Sequence, residues 1–160
     1  MHESVMTWFR EWFDTCYNMR VLEVGSRNIN GSVRPLVEST KPLEYIGIDI
    51  EPGPGVDRVL NAIYLTDTFP AWFDVVICTE TLEHARDYLT VIAQMKAVLK
   101  PGGVLYLTTR SPGFPLHEYP GDYWRFTKAQ ILTLFKNMQI ESCEDDPQTP
   151  GVFLKARKPL

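Results

Sequence analysis

The stretch Phe73-Asp74-Val75-Val76-Ile77-Cys78-Thr79-Glu80-Thr81-Leu82-Glu83-His84 decides how this chain folds. Asp74 apart, its first half is a short apolar run rich in β-branched residues. That pattern is a strand buried on both faces, as in a parallel sheet, rather than one alternating between core and water. Its second half turns polar at once and reaches a histidine just before a helical pattern begins. In open parallel sheets ligands bind at the carboxyl ends of the strands, near the point where strand order reverses. Thr79–His84 is therefore a candidate wall of a ligand site.

Upstream, Arg20–Val24 and Glu44–Ile50 read as strands, and Val56–Leu60 as a short third one. Ser32–Glu38 begins a helix with Pro35 in its first turn, where a missing N–H costs little. Residues 2–18 read as an N-terminal helix, because Val5, Trp8, Phe9, Trp12, Phe13 and Tyr17 recur at three- and four-residue spacing. That stripe is expected to pack on the core. Downstream, Arg86–Leu99 is a helix with Leu89, Ile92, Ala93 and Leu99 on one side, ended sharply by Lys100-Pro101-Gly102-Gly103. Val104–Thr109 is a further strand. Thr127 and Gln130 form a capping box that starts a helix over Lys128–Asn137. Gln139–Cys143 and Val152–Ala156 are separated by too few residues for a helical crossover and are expected to be antiparallel neighbours at one edge. The fold class that follows is α/β: a Rossmann-like, doubly wound, mostly parallel seven-stranded sheet with an antiparallel edge hairpin and helices on both faces.

With 160 residues, the chain is expected to form a single domain over 1–160. No apolar run approaches the roughly 18 residues of a membrane span. Acidic and aromatic residues stand where a signal peptide has its basic start and apolar middle, so a cytoplasmic location is expected. Cys16, Cys78 and Cys143 are odd in number and form no CxxC pair, which supports neither a disulfide framework nor a metal site. The formal net charge is −4 and the only basic cluster is Lys155, Arg157 and Lys158, a balance that disfavours nucleic acid as partner.

Two more segments end at the same edge of the expected sheet. Val21-Leu22-Glu23-Val24-Gly25 continues through Ser26-Arg27-Asn28-Ile29-Asn30-Gly31. A glycine there lets the backbone approach a ligand, and the amides that follow at a helix start suit an anionic group. Tyr45-Ile46-Gly47-Ile48-Asp49-Ile50 places a carboxylate at a strand end, where it can accept both hydroxyls of a ribose. Each has a structural alternative, a simple glycine turn or a turn-capping aspartate. The pair also fits a nicotinamide dinucleotide site.

The order of these segments, with Leu82-Glu83-His84 followed by Leu99-Lys100-Pro101-Gly102-Gly103, resembles the class I S-adenosylmethionine-dependent methyltransferases, in their small-molecule branch. The likeness runs from Arg20 through Ala156. It implies S-adenosylmethionine as cofactor, with Glu23, Gly25, Ser26 and neighbouring backbone around its methionine part. It implies Asp49 on the ribose hydroxyls, Ile50 against the adenine, Asn61 and Ala62 at the adenine edge, and Thr79 and Glu80 beside the methionine moiety. Arg27 and Ile29 stand where the family has glycines, and Gly31 arrives late, so this loop is longer or differently bent. Arg27 either meets the cofactor carboxylate or faces solvent.

The segment Ser111–Thr127, with Asp122-Tyr123-Trp124-Arg125-Phe126-Thr127, is dense in aromatics, prolines and titratable groups. It resembles a segment of related methyltransferases, some linked to surface-polysaccharide synthesis, and reads as a substrate lid over 111–127. Sulfonium methyl transfer needs mainly proximity and orientation, with a general base only when the acceptor must lose a proton. His84 and His117 are the candidate bases, with Glu118 and Tyr119 behind them. No DPPY-type sequence follows the fourth strand and no Pro-Cys nucleophile is present, which turns the expectation from DNA bases to a small molecule or a sugar. The rest of the acceptor site must come from the N-terminal helix (residues 1–19), the 111–127 segment, or a second subunit in a homodimer. A catalytically inactive binding or scaffold protein and a nicotinamide-dependent oxidoreductase are the competing readings. The missing GxGxxG turn counts against the oxidoreductase.

Overall fold

The computed structural model describes residues 1–117 and 121–160. The elements run α1 Glu3–Trp12, β1 Arg20–Val24, α2 Arg34–Ser39, β2 Glu44–Asp49, β3 Arg58–Val59 and a 3₁₀ turn at Ala62–Tyr64. There follow α3 Leu65–Thr68, β4 Phe73–Thr79, a second 3₁₀ turn at Leu82–His84, α4 Tyr88–Val98, β5 Leu99–Arg110, α5 Lys128–Leu134, β6 Gln139–Asp145 and β7 Gly151–Arg157. The strands form one sheet in the order β3-β2-β1-β4-β5-β7-β6. β1 pairs in parallel with both β2 and β4, and β4 with β5. β7 runs antiparallel to both β5 and β6, so the expected edge hairpin is present. The order reverses between β1 and β4.

The continuous apolar strands bury both faces of the sheet. On one side Leu22, Ile48, Val76, Leu105 and Leu154 pack under Leu65, Met95, Val98, Ile131 and Phe135 from α3, α4, α5 and its end. On the other side Val21, Ile77, Tyr106 and Phe153 pack under Val5, Trp8 and Phe9 of α1 and Val37 of α2. Alternating strand residues thus feed two separate cores, which is the physical content of a doubly wound fold.

Several boundaries differ from the sequence reading. The N-terminal helix stops at Trp12, because Phe13 turns to stack on Phe9 (4.9 Å) and pack on Tyr106, and the Asp14 amide donates to the Tyr106 hydroxyl (3.1 Å). Cys16 is still buried, but Tyr17 is exposed. The helix expected from Arg86 begins at Tyr88, since the Asp87 side chain accepts from Thr90 N (3.1 Å) and caps it there. Its buried face is Val91, Ile92, Met95 and Val98, while Leu89 and Ala93 are exposed. Lys100–Gly103 is an irregularity inside β5 rather than a loop. Phe73 pairs with Leu99, and the next pair, Val75 with Val104, skips those residues. The Thr127–Gln130 capping box is present with both of its reciprocal hydrogen bonds, and α5 ends at Leu134.

Candidate functional site

A cavity of about 680 Å³ opens at the carboxyl ends of β1, β2 and β4, across the strand-order reversal. Among the described residues it is bordered by Glu23, Gly25, Ser26, Asp49, Ile50, Asn61, Ala62, Thr79, Glu80, His84 and His117, the site residues expected from the sequence. Its size lies within the usual range for a small-molecule site. Glu118 and Tyr119 lie outside the described residues.

Gly25 ends β1 with φ +74°, a conformation that side chains other than glycine rarely adopt. A Cβ there would stand 2.0 Å from Thr81 Oγ1, so the turn and the end of β4 meet through the missing side chain. Thr81 donates its hydroxyl to Thr79 O at 3.0 Å, which fixes it in that place.

The loop after Gly25 corrects one expectation. Its amides do not form an empty anion cradle at a helix start. Gly25 N and Ser26 N donate to Ile48 O (2.9 and 3.0 Å), Asn28 N to Pro54 O (2.8 Å) and Arg27 N to Asp49 Oδ2 (3.2 Å). The next helix begins only at Arg34. Arg27 is not a solvent-facing side chain either: it pairs with Glu51 and lies over Gly53, whose Cβ would stand 2.9 Å from Arg27 Nε. The glycines absent from this loop are supplied by the strand and loop that face it. A Cβ on Gly47 would meet Gly55 O at 2.4 Å and Ser26 Oγ at 2.7 Å, and one on Gly55 would meet Ser26 O at 2.6 Å. Close backbone approach is achieved from the opposite side. The Ser26 hydroxyl packs against Gly47, buried and without a hydrogen-bond partner among the described residues.

Asp49 is held by the backbone at both oxygens, from Arg27 N and from Glu51 N (3.2 Å each). Those amides aim a carboxylate into the cavity and leave lone pairs for a diol. Asn61 uses its Oδ1 to accept Ile63 N (3.2 Å) and so presents its NH₂ group as a donor. Ile50, beside it, is exposed at the cavity rim.

Glu23 is buried and accepts from the Tyr45 hydroxyl at 2.6 Å. Burial, opposed by that hydrogen bond, raises its pKa from 4.5 to about 7. Between those values the folded protein holds a proton the unfolded chain has lost, so this group's contribution favours folding at low pH and falls away as pH rises through about 7. Glu23→Gln keeps an acceptor for Tyr45 and removes the charge. In the ligand-free protein it is expected to match wild type in unfolding free energy at pH 4 and to exceed it at pH 8, by on the order of 1–3 kcal/mol. A gap that does not widen with pH would mean that Glu23 is ionised throughout.

The far wall contains residues the sequence reading did not single out. Arg110, buried at the end of β5, pairs with Glu80 and with Asp146 (3.1 Å) and donates to Thr149 Oγ1 (3.0 Å). His2 Nδ1 sits 2.8 Å from Glu80 Oε1 and 2.6 Å from the Arg110 guanidinium. Glu83 is buried, with its pKa raised by desolvation, and accepts the Thr109 hydroxyl at 2.9 Å. His84 places Nδ1 on the carbonyl of Gly121. His117 packs 5.2 Å from Phe114, and its backbone N–H donates to Asp122 (2.7 Å). The sequence signal for Arg110 is a charge two threonines beyond the apolar run Val104–Leu107, where an unpaired ion would be costly, and Glu83 was visible only as the middle of the Leu82–His84 motif. No cluster of three or more metal-ligating side chains occurs among the described residues. No helix among them is long and apolar enough to cross a membrane.

Comparison with known proteins agrees with this fold. The methyltransferase-domain family matches residues 9–143. A ubiquinone biosynthesis O-methyltransferase of Dechloromonas aromatica is 30% identical over 157 residues, covering 80% of this chain and 68% of that enzyme. The enzyme of the same name from Pseudomonas paraeruginosa is 41% identical over a shorter stretch of 61 residues, 38% of this chain, and the match spans only 26% of that relative's length. Among solved structures, a Burkholderia thailandensis 1,6-didemethyltoxoflavin N1-methyltransferase with bound S-adenosylhomocysteine superposes with a TM-score of 0.76 at 15% identity, over 98% of this chain and 77% of that one. At that identity the likeness is one of fold.

Proposed function

We propose, because this chain belongs to the methyltransferase-domain family, that it moves a methyl group from S-adenosylmethionine to a small, uncharged, hydroxyl-bearing acceptor, a sugar among the chemistries that fit. The observation that carries the reading is Asp49: a carboxylate locked by two backbone amides, at the end of β2, on the rim of a cavity at the strand-order reversal. The donor set fits the cofactor. Asp49 suits a ribose diol, the Asn61 NH₂ group and the Ile50 and Ala62 side chains suit an adenine edge and face, and Gly25 leaves room beside the methionine part. Bound there, S-adenosylmethionine would supply a methyl carbon on a positively charged sulfur, already a good leaving group.

This chain's own groups would then orient the acceptor and take its proton. This chain's part is to hold the acceptor oxygen in line with the methyl carbon, and the cofactor would keep the electron pair of the broken carbon–sulfur bond. The acceptor proton passes to Nε2 of His84, whose other nitrogen is engaged by Gly121. Two of the guanidinium groups at this end favour an uncharged acceptor, while a third, Arg86, lies over the Tyr123 ring. Arg110 lies between Glu80 and Asp146, and Arg125 is paired with Asp122, so neither is open to a phosphate or carboxylate.

Calorimetry tests the cofactor assignment. S-adenosylmethionine is expected to bind and NAD not to bind, and Asp49→Ala is expected to weaken the former at least tenfold, about 1.4 kcal/mol. Unchanged affinity would remove the ribose from Asp49. Failure of both cofactors to bind at millimolar concentration would overturn the reading, and binding without turnover on any acceptor would favour a binding protein over an enzyme.

A further inference from the structure

We infer that Asp122 and Arg125 are positioning residues that hold the Gly121 carbonyl on Nδ1 of His84, so that Nε2 is the bare nitrogen of that ring. The inference rests on the reading of His84 as the base and adds what makes the ring ready for that task.

Arg125 is a clasp rather than a ligand group. Its Nε donates to Phe114 O (3.2 Å), one terminal nitrogen to Trp124 O (2.7 Å) and the other to Pro115 O (2.9 Å). The same two terminal nitrogens each take an oxygen of Asp122. All five guanidinium N–H groups are thereby occupied. These hydrogen bonds also hold the Asp122 carboxyl below its ordinary pKa range. Phe114 and Pro115 before Gly121, and Asp122 and Trp124 after it, are therefore tied to one rigid fork.

The other face of the segment is tied to the polypeptide around His84. Tyr123 N and Trp124 N both donate to Glu83 O (2.9 and 3.2 Å), and Trp124 Nε1 donates to Ala85 O (3.0 Å). Tyr88 packs edge-on against Trp124 (4.9 Å) and Phe126 (5.0 Å). His84 lies between these bonds, and the Gly121 carbonyl meets its Nδ1. A carbonyl only accepts. In a neutral imidazole the proton of that hydrogen bond therefore sits on Nδ1, and Nε2 keeps its lone pair. A base needs that tautomer.

The test is the tautomer itself, read by ¹⁵N NMR of protein labelled in histidine, with S-adenosylhomocysteine present and at a pH where the ring is neutral. Wild-type His84 is expected to show a protonated Nδ1 and a bare Nε2. Arg125→Gln and the milder Asp122→Asn are expected to move both nitrogens toward the mixed values of a solvated ring, with S-adenosylhomocysteine affinity unchanged within about twofold. Arg125→Lys is expected to behave like Arg125→Gln, because one ammonium cannot bridge three carbonyls and a carboxylate. A wild-type ring protonated on Nε2 would overturn the inference, and that spectrum needs no variant to fold. Folded variants with an unaltered tautomer would overturn it too. Failure of the base reading shows separately, as methyl transfer that survives loss of Nε2 while the tautomer result stands.

Discussion

Gly25→Ala is expected to destabilise the protein by about 2–4 kcal/mol and to abolish measurable S-adenosylmethionine binding. Two costs combine. The backbone stands at φ +74°, which penalises any Cβ, and the new methyl group would fall 2.0 Å from Thr81 Oγ1 and 2.5 Å from its Cγ2. Thr81 cannot yield freely, because it is bonded to Thr79 O and packed at the end of β4. The end of β1 must therefore move, and Gly25 N and Ser26 N, which both reach Ile48 O, move with it. Asp49 directly follows Ile48 and takes the next amide along the loop, so the ribose carboxylate loses its alignment as well. A double-mutant cycle separates the two costs. Thr81→Ala removes the Oγ1 and Cγ2 overlaps but leaves its Cβ at 2.7 Å and the strained φ, so Gly25→Ala in that background is expected to cost about 1–2 kcal/mol less than in wild type. Additive costs, measured by urea denaturation, would mean that the contact with Thr81 is not what makes glycine necessary.

The same corner shows which features sequence reading could reach. β4 was legible because seven consecutive residues carry their own signal, and the Thr127–Gln130 box was legible because its partners are three residues apart. The position of Asp49 followed from the length of an apolar strand. The loop after Gly25 was not legible, because its close approach depends on Gly47 and Gly55, which come from a different strand and its following loop. Nothing within residues 26–28 announces that their amides are already bonded. The start of α4 was misplaced for a related reason. The apolar spacing suggests a start at Arg86, but Trp124, far along the chain, takes the carbonyls of Ala85 and Arg86, and Asp87 offers a better cap. The apolar spacing through Phe13 is real as well, yet Tyr106 recruits the Asp14 amide and ends the helix. In each case a tertiary partner outcompetes a local pattern.

Replacing His84 is expected to have the largest effect on rate, and the choice of replacement separates its two roles. Its Nδ1 anchors the Gly121 carbonyl, and its Nε2 is the proton acceptor in the proposed reaction. Asparagine carries an amide N–H close to the Nδ1 position and can keep the anchor while lacking a base. Alanine lacks both. If His84 is the base, His84→Asn and His84→Ala should both lose about 10²–10⁴-fold in kcat, the usual worth of a positioned general base. Affinity for S-adenosylmethionine should change little, because its predicted contacts lie at Asp49, Asn61 and Gly25. If the ring is only an anchor, His84→Asn should remain active and His84→Ala should fail, with a loosened Tyr123–Trp124 segment seen as faster amide exchange at those two residues. The measurement is single-turnover methyl transfer at saturating cofactor, which removes binding and product release from the rate. Acceptor acidity sharpens it further: an acceptor whose hydroxyl is already ionised needs no base, so the asparagine variant should recover most of its rate on such a compound while remaining slow on an alcohol.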